Sequence, residues 1–259
     1  MAGSNKVLSV EKAMKILDVL DEGNKPLSLM EISELTQWPK STVHALLSTL
    51  REFSIVEQSQ TDGKYSLGYH LFELGSHVCN SWDVVNIAHP YMLHIASRLH
   101  HSVYLAKLID ECLILVAREE PNEGFRVYDK VGNRLPLHCT SQGKTILANK
   151  STAQVKYLLD QSGGLTAYTE NSITDLSTFL ESLSQIREDG YALEKGEYCS
   201  GLYSYAAPIF DKSGNCEYAL ASVGPYHVMD LFGKEQDAVK EAVIDAAGKI
   251  SKELGYHGK

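Results

Sequence analysis

Residues 38–53 read WPKSTVHALLSTLREF, and this stretch decides the fold of the N-terminal part of the chain. Pro39 is compatible with the first position of a helix, where the missing N–H would have no intrahelical partner. The apolar residues recur at helical spacing and predict one buried stripe: Val43, Leu46, Leu47, Leu50 and Phe53. The opposite face carries short side chains with polar flanks: Ser41, Ala45, Ser48, Lys40, Thr42, His44 and Thr49. The stretch therefore predicts a helix whose apolar side packs in the core and whose opposite side, which we call the narrow face, carries short side chains.

Two more helices and a hairpin surround this stretch. Residues 9–20 are apolar at helical spacing, with Ser9 as the expected N-cap, and residues 29–35 follow a capping box of Ser28 and Glu31. Residues 55–58 and 64–67 predict two short strands connected through Asp62-Gly63, a dipeptide typical of hairpins. Three helices and a hairpin in this order predict a winged helix-turn-helix.

The narrow face of residues 40–49 suits a helix that enters the major groove of DNA. That groove admits one α-helix, whose first turns meet the base edges, and backbone N–H groups at a helix N-terminus favour phosphate. The expected phosphate and sugar contacts are Lys40, Ser41 and Thr42. The expected base contacts are His44 and Ser48. In the wing, the expected contacts to flanking backbone are Lys64 and Tyr65.

The charge balance leaves an alternative open. The chain has a net charge of −9, which excludes a protein coated in nucleic acid. Residues 1–80 hold seven Lys and Arg against ten Asp and Glu, so the predicted DNA-binding module is itself acidic. A small DNA-binding domain is compatible with this charge balance, because DNA affinity depends on where the positive charges lie. An adaptor that uses the same fold without binding DNA is the alternative.

The rest of the chain alternates helices with strands. Residues 69–80 predict a linker helix, and residues 83–100 predict a helix that Pro90 should kink. Further helices are predicted at residues 140–149, 153–159, 176–188 and 235–254. Strands are predicted at residues 103–109, 112–118, 125–130, 191–194, 203–210 and 216–223. Because hairpins outnumber β-α-β crossovers, we expect an α+β domain with a mixed, mainly antiparallel sheet packed by helices.

Other classes of protein find little support in the composition. No stretch reaches the roughly 18 consecutive apolar residues of a membrane helix, and no signal-peptide core is present, so we expect a cytoplasmic protein whose five cysteines are free thiols. His138-Cys139 comes without a specified base and orienting group, and we expect no enzyme. His100-His101 lacks the spacing of metal ligands, so we expect no cofactor, with a metal-responsive regulator as an alternative.

Residues 139–143 precede or open a predicted helix. Backbone N–H groups of Ser141 and Gln142 would bind a carboxylate there, helped by the helix dipole. The alternative is that both residues only cap the helix.

Both halves of the chain carry motifs in a characteristic order. The N-terminal set is LSVEKA at 8–13, LSL at 27–29, WPKSTVH at 38–44 and YSLG at 65–68. The C-terminal set is VGNRLPLHCT at 131–140, GK at 143–144, GY at 190–191, Glu197, Gly201, AAPIFD at 206–211 and GP at 224–225. This collinear set, from residue 9 to residue 254, resembles the IclR (isocitrate lyase regulator) family.

The resemblance implies three parts: a winged helix-turn-helix DNA-binding domain at residues 1–68, a linker helix at 69–82 and a GAF-like effector-binding domain at 83–259. It implies a regulator of transcription, expected to be a repressor, that binds double-stranded operator DNA as a homodimer or homotetramer. The expected effector is a small organic or aromatic acid.

By position, the family's effector contacts fall on Ser141, Gln142, Glu194, Ser204, Ala221 and Val223. The last two depart from the family pattern, which has small hydroxyl residues at both, so we expect an apolar wall and a ligand richer in hydrocarbon than a two- or three-carbon oxoacid. Ala45 stands where relatives commonly have Arg. Loss of one charged contact costs about 1–3 kcal/mol at one base position, so we expect a different operator sequence or affinity.

Overall fold

Helices α1 (Leu8–Glu22), α2 (Leu29–Thr36) and α3 (Lys40–Glu52) precede a hairpin of β1 (Val56–Gln58) and β2 (Tyr65–Leu67), and helix α4 (Tyr69–Asn80) follows it. The computed structural model describes residues 6–23, 25–80, 82–123, 126–127, 129–225 and 233–258. It separates into two units, Met1–Ser81 and Trp82–Lys259. The N-terminal unit confirms the predicted order of a helix-turn-helix with a small hairpin.

The apolar sides of α1, α2 and α3 meet the hairpin in one core. Its buried members are Ile16, Val19, Leu20, Leu27, Ile32, Val43, Leu47, Val56 and Tyr65. The segment before α2 also joins the hairpin through the backbone, because Leu27 N–H donates to Tyr65 O at 2.9 Å and Tyr65 N–H donates to Leu27 O at 2.7 Å. Helices this short are marginal alone, so this shared burial is what stabilises them.

Local signals located the helix ends with unequal success. The capping box is present, since Ser28 Oγ accepts from Glu31 N–H at 3.2 Å and Glu31 Oε2 accepts from Ser28 N–H at 2.7 Å. The assignment of Ser9 as an N-cap is wrong, because α1 begins at Leu8 and follows Val7 without a side-chain cap. Phe53 was expected in the buried stripe, but α3 ends at Glu52 and Phe53 is 66% exposed.

The C-terminal unit begins with α5 (Asp83–Leu99), which contains Pro90, and its described residues form a six-stranded sheet. The strands are β3 (Ser102–Ile109), β4 (Cys112–Glu119), β5 (Arg134–Leu135), β6 (Ala192–Lys195), β7 (Leu202–Phe210) and β8 (Cys216–Pro225). Their order is β5-β4-β3-β8-β7-β6, and every neighbouring pair is antiparallel. The predicted α+β class with a mainly antiparallel sheet is confirmed.

Helices cover both faces of this sheet. Helices α6 (Ser141–Ala148), α7 (Thr152–Gln161) and α8 (Leu176–Asp189) pack on one face through side chains such as Ile146, Leu158 and Phe179. Helices α5 and α9 (Gly233–Glu253) pack on the other face through side chains such as Met92 and Val243. Successive side chains along a strand point to opposite faces of the sheet, so each strand contributes residues to the cores on both faces. The layering places α6 against β6, β7 and β8.

One predicted strand does not form. Of residues 125–130, residues 125 and 128 lie outside the described part of the chain, and the other four are not in a strand. The sheet edge is β5 instead, where Leu135 pairs with Leu113 of β4. Val127 bonds to side chains rather than to a strand, because Tyr104 Oη donates to its carbonyl and its N–H donates to Ser102 Oγ at 3.1 Å. The strand prediction for residues 125–130 is therefore wrong, because side-chain hydrogen bonds hold Val127 in a loop.

Candidate functional site

A short turn sets the direction of α3. Gln37 adopts a left-handed conformation with φ of 56°, and Ser33 Oγ donates to Trp38 O at 2.7 Å. Pro39 is the N-cap residue, and its carbonyl accepts from Val43 N–H at 3.1 Å. The helix thus begins at Lys40, one residue later than the predicted position of Pro39 implied.

Opposite faces of α3 differ as the sequence predicted. Val43 and Leu47 are fully buried and anchor the helix in the core. On the narrow face that is predicted to contact DNA, the exposed residues include Lys40, Ser41, His44, Ala45 and Ser48. Thr42, at the margin of this face, is half-buried. No acidic residue lies in the first turn of α3. This end of the helix therefore combines free backbone donors with local positive charge, which favours a phosphate.

The two residues predicted in the wing separate in the structure. Lys64 is half-buried at the hairpin, directly before β2. Tyr65 is 4% exposed and belongs to the core beside Leu27 and Val56. We correct its assignment, because a side chain this buried packs the hairpin and does not contact a DNA backbone.

Sequence reasoning missed the contact that joins α3 to the hairpin. Arg51 Nη1 donates to Gln58 Oε1 at 2.8 Å, and Gln58 Nε2 donates to Gly63 O at 2.9 Å. Both side chains lie at the surface, and no local pattern pairs them. These hydrogen bonds link the hairpin to the C-terminal end of α3.

In the C-terminal unit, register brings the predicted effector residues to one face of the sheet. Glu194 pairs with Ser204, and Ser204 pairs with Val223. Ala206 pairs with Ala221 two residues further along β7. Residues directly opposite in antiparallel strands point to the same face, so Glu194, Ser204, Val223 and Ala221 lie together beneath α6.

Hydrogen bonds join four of these residues into one network, which we call the Ser–Glu cluster: Ser141, Gln142, Glu194 and Ser204. Ser204 Oγ lies 2.8 Å from Ser141 Oγ and 3.2 Å from Glu194 Oε2. Ser141 Oγ donates to Gln142 Oε1 at 3.2 Å. Each member is at most 4% exposed. Ala221 and Val223 are buried beside the cluster and add the apolar wall that the sequence predicted.

The first turn of α6 offers donors next to this cluster. Thr140 Oγ1 caps the helix by accepting from Gly143 N–H at 3.2 Å. Among the described residues, no acceptor bonds the backbone N–H of Ser141 or Gln142. Gly143 is required here, because a Cβ atom would lie 2.2 Å from Leu137 O. The tight approach holds the helix N-terminus, whose free amides attract anions, against the loop that precedes α6.

An ion pair that sequence reasoning did not assign lies beside the cluster. Lys144 Nζ donates to Glu197 Oε1 and to Leu193 O, the latter at 3.3 Å. Glu197 Oε2 is buried and has no hydrogen-bond partner among the described atoms. Both residues belong to motifs noted in the sequence, but only the fold places α6 against the loop after β6. Lys144 thus pairs directly with Glu197, and its charge acts on the Glu194 carboxyl group only at longer range.

Burial sets the protonation of this region. It raises the pKa of Glu194 above its ordinary value, opposed by hydrogen bonds that Oε1 accepts from the backbone N–H groups of Tyr198 and Glu197. Burial also raises the pKa of the Cys139 thiol to about 12, and the nearby Glu194 and Glu197 carboxyl groups add to the rise. Cys139 is therefore a neutral thiol at neutral pH and lacks the thiolate that nucleophilic chemistry needs.

The described residues contain no group of three or more His, Cys, Asp or Glu placed to hold a metal ion. No described helix has the length and apolar character needed to cross a bilayer.

Comparison with known proteins agrees with this geometry. Residues 9–60 match the model of the IclR helix-turn-helix domain, and residues 76–252 match the model of the bacterial transcriptional regulator IclR C-terminal domain. The chain is 30% identical over 254 residues to the HTH-type transcriptional regulator KdgR of Escherichia coli, covering 98% of this chain and 95% of KdgR. It is 30% identical over 258 residues to the transcriptional repressor IclR of the same organism, covering 98% and 92%.

Solved structures share the fold along nearly the whole chain. An IclR transcriptional regulator from Alicyclobacillus acidocaldarius is 28% identical, with a TM-score of 0.83 over 96% of this chain and 100% of that one. An IclR homologue from Microbacterium hydrocarbonoxydans, solved in complex with 4-hydroxybenzoate, is 22% identical, with a TM-score of 0.82 over 95% and 98%. The second likeness concerns the fold alone. The chain belongs to the IclR family of DNA-binding transcriptional regulators, a family of non-enzymatic proteins.

Proposed function

We propose that this protein is a cytoplasmic repressor that binds operator DNA through α3 and senses a small organic or aromatic acid at the Ser–Glu cluster. The observation that carries the proposal is the juxtaposition of free α6 amides, the Ser141–Ser204 pair and the buried Glu194 on an otherwise apolar face. We retain the three-part division, with residues 1–68 reading DNA, 69–82 linking and 83–259 sensing the effector.

The surface of α3 supports the DNA-binding half of the proposal. Its phosphate contacts are Lys40, Ser41 and Thr42, with Lys64 on the flanking backbone. Its base contacts are His44 and Ser48, with Ala45 between them. Ala45 presents a methyl group, which suits apolar contact with a thymine methyl better than bonding to guanine. The operator of this protein would therefore differ from those read by relatives with Arg at that position.

The chemistry of the cluster supports an acidic effector. A carboxylate placed at the Ser141 and Gln142 amides gains hydrogen bonds from two donors that have no other acceptor. Glu194 is the obstacle, because two like charges would meet in a buried site. Burial raises the pKa of Glu194, which eases protonation of its carboxyl group and so lessens this repulsion.

The apolar wall supports a ligand with hydrocarbon or ring surface. Ala221 and Val223 offer no hydrogen bonds, whereas a two- or three-carbon oxoacid is polar on nearly every side. The Microbacterium homologue of the same fold was crystallised with 4-hydroxybenzoate, an aromatic acid of the size and polarity that such a wall favours.

Exposed apolar side chains on α4 support self-association as a dimer or tetramer. Phe72 is 77% exposed, and Tyr69 and Leu74 are also exposed on the same short helix. Large apolar side chains clustered at a surface favour burial against a partner. Two copies would present two reading helices to a pseudo-palindromic operator. Effector binding would then change operator affinity only if one arrangement of the dimer binds the effector more tightly.

A screen of organic and aromatic acids tests the proposal. Each acid is first tested by thermal shift on the full chain, and the stabilising acids are then added to a gel-shift assay with duplex DNA from upstream of the protein's own gene. We expect at least one acid to raise the melting temperature and to change operator affinity. Glu194→Ala should alter that response while leaving operator binding without ligand unchanged. If acids bind but never change operator affinity, the effector assignment fails.

A further inference from the structure

A second candidate binding site lies at the other end of α6 from the Ser–Glu cluster. A cavity with a volume of about 750 Å³ opens between α6, α8, β7 and α9. Its described lining residues include Thr145 of α6, Asn149 at the C-cap of that helix, Ala207 and Phe210 of β7, and Gly248 of α9. Small-molecule sites commonly have volumes of roughly 300–1,000 Å³. None of Ser141, Gln142, Glu194 and Ser204 lines this cavity, so it is a different site from the Ser–Glu cluster.

The wall of the cavity is apolar and partly aromatic. Ile186, Pro208 and Ile244 contribute aliphatic surface. The rings of Phe210 and Tyr256 stack with centroids 4.9 Å apart and an interplanar angle of 27°. Flat apolar surfaces of this kind suit a ring or a short hydrocarbon chain.

The polar groups at the base of the cavity are already satisfied. Ser251 Oγ donates to Ala247 O at 2.7 Å and accepts from Phe210 N–H at 3.0 Å. Asn149 Nδ2 donates to Thr145 O at 2.9 Å. These bonds fix the wall and leave little there to bind a strongly polar molecule.

The charges at the cavity all have one sign. Arg187 and Lys252 line it, and none of its described lining residues is Asp or Glu. Arg187 is held in place by donating to Ala148 O and, at 2.8 Å, to Lys150 O. No carboxylate in the described part of the chain forms an ion pair with Lys252. An anion would therefore find unneutralised positive charge beside an apolar wall.

We propose that this cavity is a second ligand site, which binds a small aromatic or aliphatic carboxylate with its hydrocarbon part against Phe210 and Ile244 and its carboxylate at Lys252 and Arg187. Charge complementarity favours this occupant over a protein surface, since a docked helix would have to supply an acidic side chain at the same point.

Gly248 provides a direct test, because a Cβ atom there meets no other atom within 4 Å. Because Gly248 lines the cavity, Gly248→Leu adds a bulky side chain there, and Gly248→Ala is the matched control. Benzoate is titrated into the full chain by isothermal titration calorimetry. We expect Gly248→Leu to weaken benzoate binding at this site by about tenfold or more, and Gly248→Ala to leave it within about twofold of wild type.

The charge is tested separately. Lys252→Met should weaken benzoate binding by about three- to tenfold, Lys252→Arg should retain it, and Lys249→Met, on the same helix outside the cavity, should have no effect. Benzyl alcohol should bind more weakly than benzoate. Equal binding of both probes, or unchanged benzoate binding in both Gly248→Leu and Lys252→Met, overturns the proposal.

Two further outcomes separate this site from its alternatives. Benzoate binding that disappears in Glu194→Ala but survives in Gly248→Leu would locate the ligand at the Ser–Glu cluster and reject the cavity. A change of association state in Gly248→Leu by sedimentation, without loss of benzoate binding, would show that a protein surface covers the cavity. Benzoate binding that persists in Glu194→Ala and is lost in Gly248→Leu supports the cavity whether or not any acid changes operator affinity.

Discussion

Ser204 on β7 and Ser141 at the first turn of α6 face each other with their hydroxyl oxygens 2.8 Å apart, although 63 residues separate them in the chain. The contact joins the sheet to the helix that supplies free amide donors. It also extends to Glu194 Oε2, 3.2 Å from Ser204 Oγ. A single hydroxyl thus holds together the polar end of the candidate effector site.

Ser204→Ala should therefore lower both stability and effector response. Removing one partner leaves the buried Glu194 and Ser141 oxygens less satisfied, which costs about 1–3 kcal/mol of unfolding free energy. Urea unfolding at fixed protein concentration measures the loss. Ser184→Ala, on the exposed surface of α8, is the control and should change stability by less than about 0.5 kcal/mol. An equal effect of the two substitutions would contradict the role given to Ser204.

Lys144→Met should destabilise the protein more strongly. The substitution leaves the Glu197 carboxylate buried without its counter-ion, and breaking a buried pair in this way costs about 3–5 kcal/mol. The double variant Lys144→Met with Glu197→Gln should recover much of the loss, because it removes the unpaired charge. Urea unfolding of the wild type, the two single variants and the double variant gives the coupling free energy between Lys144 and Glu197. Additive losses in the double variant would show that the two charges do not interact.

Gly68→Ala should disrupt the N-terminal unit. A Cβ atom there would lie 2.2 Å from Ser54 O, which is backbone and cannot move aside cheaply. Gly75→Ala is the matched control, since its Cβ meets nothing within 4 Å and lies in α4. Alanine should stabilise that helix by up to about 1 kcal/mol. Circular dichroism during thermal unfolding should give a lower melting temperature for Gly68→Ala and an unchanged or higher one for Gly75→Ala.

His101 should make stability depend on pH. Burial lowers its pKa from 6.5 to about 4 in the folded protein. The unfolded chain therefore binds the proton more tightly, so the folded state loses stability as pH falls from 6.5 towards 4. The full shift corresponds to about 3 kcal/mol.

His101→Gln removes this titration. The difference in unfolding free energy between wild type and His101→Gln should change by up to about 3 kcal/mol over that pH range, wild type losing more. Urea unfolding at several pH values measures it. Parallel pH profiles for the two proteins would show that His101 does not titrate as its burial implies.

Elements with local signals could be predicted from the sequence. The Ser28–Glu31 capping box, the start of α3 at Lys40 and the extent of α4 all follow from residues close together in the chain. The Ser–Glu cluster was reached through family positions, since no spacing relates residues 141, 194 and 204. Its hydrogen bonds required the register of β6, β7 and β8.

Other features depend on tertiary contacts and were missed or misassigned. Tyr65 was assigned to the wing surface by its place in the hairpin beside Lys64, but its side chain packs in the core. Lys144 and Glu197 meet only because α6 packs against the loop after β6. The cavity beside Gly248 is enclosed by four separate elements, and none of them carries a local signal for it.

The most direct measurement of the central claim is a gel shift of duplex DNA from upstream of the protein's own gene with wild type, Ser41→Glu and Ser9→Glu. Ser41 is exposed in the first turn of α3, where a carboxylate would repel phosphate, whereas Ser9 is exposed at the start of α1. Wild type and Ser9→Glu should retain the duplex. Ser41→Glu should lose it while its fold by circular dichroism and its effector affinity remain unchanged. Equal retention of the duplex by Ser41→Glu and wild type would contradict the assignment of α3 as the DNA-reading helix.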